Sequence, residues 1–245
     1  EEFMKKLSLL LSFLLALSAF AGADVYVKSK SHTDAFAVMG QSQPAKDETI
    51  EQWIGDDKFA HIGPEMSSIV DLKKNMMVLI THKDKSYVET ELPLDISKLL
   101  PKEMAQMMAG MMKMTVTVTP NNQSKTIGQW KCSGYDASIQ MMMMPIKMAV
   151  WASTDVPVDM EKFSKIYSNV IKAQLRLDDA AMAEMMKIKG YWIATETTAE
   201  MMGAKMRSAT EVVEMTKKNP PAGVYSVPSG YTKKEFLSME ALQQR

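Results

Sequence analysis

Between Asp24 and Glu91, polar and apolar residues alternate in runs of five to seven, and short polar turns separate most of the runs. A period of two sends successive side chains to opposite faces, so each run reads as a β-strand. The runs are Asp24 to Lys30, Ala35 to Met39, Thr49 to Gly55, Lys58 to Ile62, Ser68 to Leu72, Met76 to His82 and Lys85 to Glu91. Connections as short as Asp56-Asp57 or Lys73-Lys74-Asn75 can join only antiparallel neighbours, which makes this half of the chain a meander. The pattern resumes at Met114 to Thr119, where Pro120-Asn121-Asn122 reads as a turn. Thr126 to Gln140 and Met141 to Ser153 follow, then a hairpin of Tyr191 to Met202 and Ala204 to Thr216 around Gly203, and a short closing strand Val224 to Val227.

Two segments break the alternation. After Pro101, suited to a first helical turn, Met104, Met107, Met108, Met111 and Met112 fall at i, i+3, i+4, i+7 and i+8, one face of a helix. Asp159 can cap a second helix with the stripe Met160, Phe163, Tyr167, Val170 and Ile171, continuing through Met182, Met185 and Met186 to a stop at Gly190. Thr232 to Gln244 reads as a polar tail helix. Large sheets twist and curl, and apolar helix stripes need a surface to bury against. The expected class is therefore α+β: a strongly curved antiparallel sheet, a half β-barrel, with helices across its concave face.

The N-terminus carries an address. Lys5-Lys6 precedes an uncharged run from Leu7 to Phe20, and Ala19-Phe20-Ala21 and Ala21-Gly22-Ala23 are both small-x-small cleavage sites. This is the pattern of a secretory signal peptide, with an apolar run too short to span a membrane. Met4 reads as the start, and cleavage is expected after Ala23. An uncleaved N-terminal anchor is the alternative. The expected organisation is residues 1–23 as signal peptide, 24–232 as one domain and 233–245 as a helical tail, with the mature chain periplasmic or secreted.

Composition closes several routes. The 29 basic and 29 acidic residues balance, so the chain lacks the basic footprint of a nucleic-acid binder. One cysteine excludes an internal disulfide and any multi-cysteine zinc site. His32, His61 and His82 lie far apart in sequence, and no metal site is expected. No Gly-x-Ser-x-Gly, phosphate loop, dinucleotide fingerprint or HExxH occurs, so neither an enzyme nor a cofactor is expected. Asp56-Asp57 and Asp178-Asp179 read as turn or capping residues. Cys132 reads as a small buried hydrophobe beside Trp130.

Several stretches carry a resemblance. These are Thr33 to Gly40, Trp53-Ile54-Gly55-Asp56-Asp57-Lys58, Lys85-Ser86-Tyr87 before Leu92-Pro93, Ile127 to Tyr135, Val150-Trp151-Ala152-Ser153 and Val227-Pro228-Ser229-Gly230-Tyr231. The pattern resembles a family of exported bacterial proteins classed as a domain of unknown function (number 4412). That family is similar in architecture to the LolA/LppX lipoprotein and lipid carriers. The resemblance implies a hydrophobic cavity between curved sheet and helices, and supplies no catalytic residue.

Methionine dominates the apolar stripes, with 25 in the chain. Leucine specifies a fixed core better, whereas a flexible thioether side chain makes an apolar wall that adapts to varied ligands. The expected function is binding of a hydrophobic or amphipathic ligand, a lipid or acyl chain. The expected wall is Met104, Met107, Met108, Met111 and Met112, with Phe163, Tyr167, Val170 and Met186 from the second helix, and a transient contact with a membrane surface is expected. Two other functions stay open. Thioethers favour Cu(I), and Met141 to Met144 adds sulfurs, so the chain could bind copper or buffer oxidants. A structural envelope protein with its interior filled by its own side chains is the other.

Overall fold

The computed structural model describes residues 23–38, 41–92, 94–102, 114–141, 144–164, 168, 179–201 and 203–237. Around β1 (Asp24–Thr33), two antiparallel meanders meet. On one side come β4 (Lys46–Ile54), β5 (Lys58–Ile62), β6 (Met66–Asp71), β7 (Met76–Thr81) and β8 (Ser86–Glu91) in sequence order. On the other side lie β13 (Ala204–Lys218), β12 (Tyr191–Met201), β11 (Met144–Ser153), β10 (Trp130–Met141) and β9 (Met114–Ile127). A last strand, β14 (Thr232–Lys233), adds to β8 in parallel, giving twelve strands. The short hairpin β2 (Phe36–Val38) and β3 (Gln41–Gln43) stands outside this sheet.

The alternation seen in the sequence becomes two buried faces. Val25, Val27, Ile54, Phe59, Val70, Met77 and Leu79 enter one apolar cluster. The residues between them in β1 and β4 to β7, Tyr26, Trp53, Ala60, Ile69 and Ile80, enter another. A sheet buried on both faces needs a cover on each. On the second face the chain after β13 supplies it, through Val224, Tyr225, Val227 and Tyr231. The Tyr225 hydroxyl donates to the Asp24 carboxylate, and Tyr231 Oη lies 2.8 Å from His82 Nδ1. Two expectations fail in this segment. Val224 to Val227 is turn rather than strand, and Thr232 begins a strand rather than a helix, because the sheet edge at β8 offers backbone partners. Leu237 packs on the first cluster, and its N–H donates to the Leu99 carbonyl at 2.9 Å.

His82 ties this strap down, since its Nε2 also lies 2.7 Å from Ser67 Oγ. Burial pushes the His82 imidazole below its ordinary value. The unfolded chain therefore takes up a proton, from about pH 6.5 downward, that the folded chain resists. Stability held at neutral pH is lost as the pH falls through that window. The expected result is a melting temperature that falls on acidification from about pH 7 to about pH 5, and falls less in His82→Gln. His32, raised by its hydrogen bond to Asp47, acts in the opposite sense, but it is exposed and solvent-screened.

The β9–β10 hairpin also departs from expectation. Pro120-Asn121-Asn122 does not reverse the chain: β9 runs through it to Ile127, and the turn is Gly128-Gln129, with Gly128 at φ +56°. Positive φ at the first of two turn residues is the hairpin pattern that favours glycine there. Pro120 is tolerated because β9 is an edge strand. Just after Pro120, at Asn121 to Gln123, the strand bulges, and the register shifts between Ser133 and Tyr135. The bulge changes the buried phase of β10 from Trp130 and Cys132 to Tyr135, Ala137 and Ile139. A Cβ on Gly134 would meet Asn121 Oδ1 at 2.4 Å, while that oxygen accepts the Gln123 N–H at 3.0 Å. Gly134→Ala should cost about 1–2 kcal/mol in urea unfolding, and adding Asn121→Ala should recover most of it.

The expected α+β half-barrel is not what forms. Strand dominates the described residues, and the twelve-stranded sheet stays open, with β14 and β9 as its outer strands. Among the described residues the α-helical pieces include 160–164 with 168, and α1 (Asp179–Met185), and Ile96–Leu99 forms a 3-10 turn. They do not lie across a face. A seven-residue helix is about 10 Å long, whereas twelve strands extend over about 55 Å. Instead α1 docks at one end, with Ala181, Met182 and Met185 against Val116, Val118, Ala137, Ile139 and Val150 of β9 to β11. There Glu184 Oε2 accepts the Val118 N–H of the edge strand at 3.0 Å. The first cluster is finished by Leu92 and Val158 from irregular chain, Leu99 from the 3-10 turn, and Phe163.

Candidate functional site

The Asp159 carboxylate accepts the N–H groups of Glu161 and Lys162, each at 3.1 Å, so it caps the helical turn that carries Met160 and Phe163. Past α1 the chain reaches Gly190, at φ +102°, where a Cβ would stand 2.4 Å from the Ser153 carbonyl oxygen. That close crossing delivers Tyr191 and the rest of β12 into the sheet. Between these segments and the sheet lies a cavity of about 240 Å³.

Its two walls differ in chemistry. Met160, Phe163, Met182, Met185 and Met186 come from the helical segments and the turn after α1, with Met148 from β11. Phe163 is buried, with its ring centroid 5.2 Å from that of Tyr191 and 6.3 Å from that of Phe59. The strands contribute Ser29, Gln52, His61, Thr195 and Thr210 among apolar neighbours. The Tyr191 hydroxyl donates to Gln52 Oε1, and Gln52 Nε2 lies 3.3 Å from His61 Nδ1. No aspartate, glutamate, lysine or arginine is among the described residues lining this cavity. Such a site can bury apolar surface and direct a few neutral hydrogen bonds.

Of the residues expected from sequence, Phe163 and Met186 both line the cavity, Met186 at its margin with 43% of its surface exposed. Met104, Met107, Met108, Met111, Met112, Tyr167 and Val170 lie outside the described residues, as do Met142 and Met143. Met160, Met182 and Met185 belong to the helical stripe but were not singled out for the site. Met148, Gln52 and His61 come from strands, and the helical period has no bearing on them. Cys132 is buried in the first cluster, and burial pushes its thiol up, which keeps it protonated and unreactive. Asp56 and Asp57 sit in a turn, paired with Lys162 and Lys73 respectively.

No family model matches the chain, and no curated protein does. A solved structure, that of a DUF1329 family protein from Desulfovibrio piger, is similar at 9% identity with a TM-score of 0.32. The similarity covers 86% of this chain and 92% of that one, and a score this low carries no argument. Neither the domain of unknown function numbered 4412 nor the LolA/LppX carriers are supported by these comparisons. Among the described residues no helix is long and apolar enough to cross a membrane.

Proposed function

We propose that this protein is an exported binding protein for a hydrophobic or amphipathic ligand, a lipid or acyl chain, held in the cavity between β-sheet and helical segments. The observation that carries this is the wall of five methionines and Phe163 facing a strand wall of uncharged polar groups. Burying a chain there gains about 25 cal/mol per Å² of apolar surface. Unbranched thioether side chains refit around chains of different length at little cost. Export rests on the signal-peptide pattern; cleavage after Ala23 would leave all of β1 in the mature chain.

Native mass spectrometry of the mature protein, prepared from periplasm without detergent, tests this. The expected result is a retained mass that fragments as a lipid. Copper in place of lipid would move the function to the thioether sulfurs and Cu(I). A bare polypeptide would favour a structural role with the interior filled by side chains.

A further inference from the structure

The row of paired residues crossing β1, β4, β5, β6, β7 and β8 reads Val27, Gln52, His61, Ser68, Leu79 and Val88. Its ends are apolar and its centre is three polar side chains, on the face that carries the first apolar cluster. Gln52 is engaged by the Tyr191 hydroxyl and lies beside His61. Ser68 differs: it is 4% exposed, and its Oγ has no hydrogen-bond partner among the described residues. A buried hydroxyl left unpaired is costly, and native chains rarely keep one without a use.

Ser68 lines a second cavity of about 350 Å³, with Met66 and Leu79. Ile50 and His61 belong to the walls of both cavities, so the methionine-lined space and this one adjoin along the polar row. The charged groups at the second cavity are Lys46, Glu48 and Glu65. Lys46 Nζ lies 2.9 Å from Glu48 Oε1 and also pairs with Glu65, so its charge is neutralised and one negative charge remains in excess. An anionic head would meet that excess, and the one lysine among the described residues lining the cavity is already paired.

We propose that Ser68, beside His61, hydrogen-bonds the uncharged head of the ligand whose chain lies among the methionines. This rests on the cavity binding a ligand at all. It makes the ligand class a neutral amphiphile, with a hydroxyl or ester carbonyl at its polar end, and it selects against fatty acids and anionic phospholipids. One lipid then spans both cavities, with the head at the strand row and the chain among the methionines.

The test is calorimetric titration of the mature full chain with 1-monolauroylglycerol and with dodecanoate, at about pH 8 and below micelle formation. The two probes share a chain length and differ in head charge. The glyceride should bind at least about tenfold tighter. Ser68→Ala should weaken glyceride binding about tenfold, the loss of one hydrogen bond, and leave dodecanoate unchanged. Its melting temperature should not fall, because no hydrogen bond within the protein is removed. Equal binding of the two probes, tighter binding of dodecanoate, or a silent Ser68→Ala overturns the head assignment and leaves the cavity function standing. Binding of neither probe, together with a bare native mass, overturns both. The comparison of probes on the unaltered chain decides the charge preference even if the variant does not fold.

Discussion

Gly190→Ala should lower stability by about 3–4 kcal/mol, read as a shift in the urea midpoint with an unchanged slope. Two costs combine. At φ +102° an L side chain is strained, and the new Cβ would stand 2.4 Å from the Ser153 carbonyl oxygen and 2.5 Å from its carbon. Both are backbone atoms of β11, so no side-chain rotation relieves the clash; the strands themselves must part. Ser153 pairs with Tyr191, so the displacement reaches the side chain that donates to Gln52 in the cavity. Retention of ligand should therefore fall together with stability. Gly203→Ala is the control: its φ is +80°, but nothing lies within 4 Å of the added atom, so strain alone should cost about 1 kcal/mol. If both variants lose the same stability, the close crossing at Ser153 is not what requires glycine at position 190.

The strands around β1 were legible because period-two alternation survives folding there: Val25 and Val27 go one way and Tyr26 the other. The same alternation held a finer signal. Gln52 stands in phase with Ile50 and Ile54, His61 with Phe59, and Ser68 with Val70, so polar residues occupying an apolar phase already marked the row that meets the cavities. Other features are set by contacts distant in sequence. Pro120-Asn121-Asn122 has turn composition, yet it leads into a bulge, because β10 pairs on both sides of it and Gly134 leaves room for Asn121. The tail after Tyr231 has helical composition, but the β8 edge captures Thr232 and Lys233 as strand, and residues 238–245 lie outside the described residues. The expectation of helices across a concave face assumed that long stripes need a broad surface. Met182 and Met185 satisfy their part of the stripe on three end strands, and short turns and irregular chain close the remaining apolar face. The pairing of β1 with β13, which fixes the strand order, leaves no mark on either strand's own residues.

Phe163→Ala should cost about 3 kcal/mol, the lower end of the range for deleting a buried aromatic. The low end applies because one side of the ring faces the cavity, so the space left behind joins an existing void instead of creating a sealed one. The loss comes from contacts with Phe59 and Tyr191 and from the apolar surface that the ring buries. Phe59→Ala should cost as much or more, since Phe59 has no exposed surface, but Phe59 is not among the residues lining the methionine cavity. The pair therefore separates packing from binding. In native mass spectra, Phe163→Ala should shift the retained lipids towards bulkier species, while Phe59→Ala should leave their distribution as in the unaltered protein. Phe163→Leu, which refills most of the volume, should recover about half of the lost stability and restore the original distribution. If Phe163→Ala and Phe59→Ala lose stability alike and neither changes the retained lipids, Phe163 acts as core alone and the chain-binding wall must be sought among the methionines.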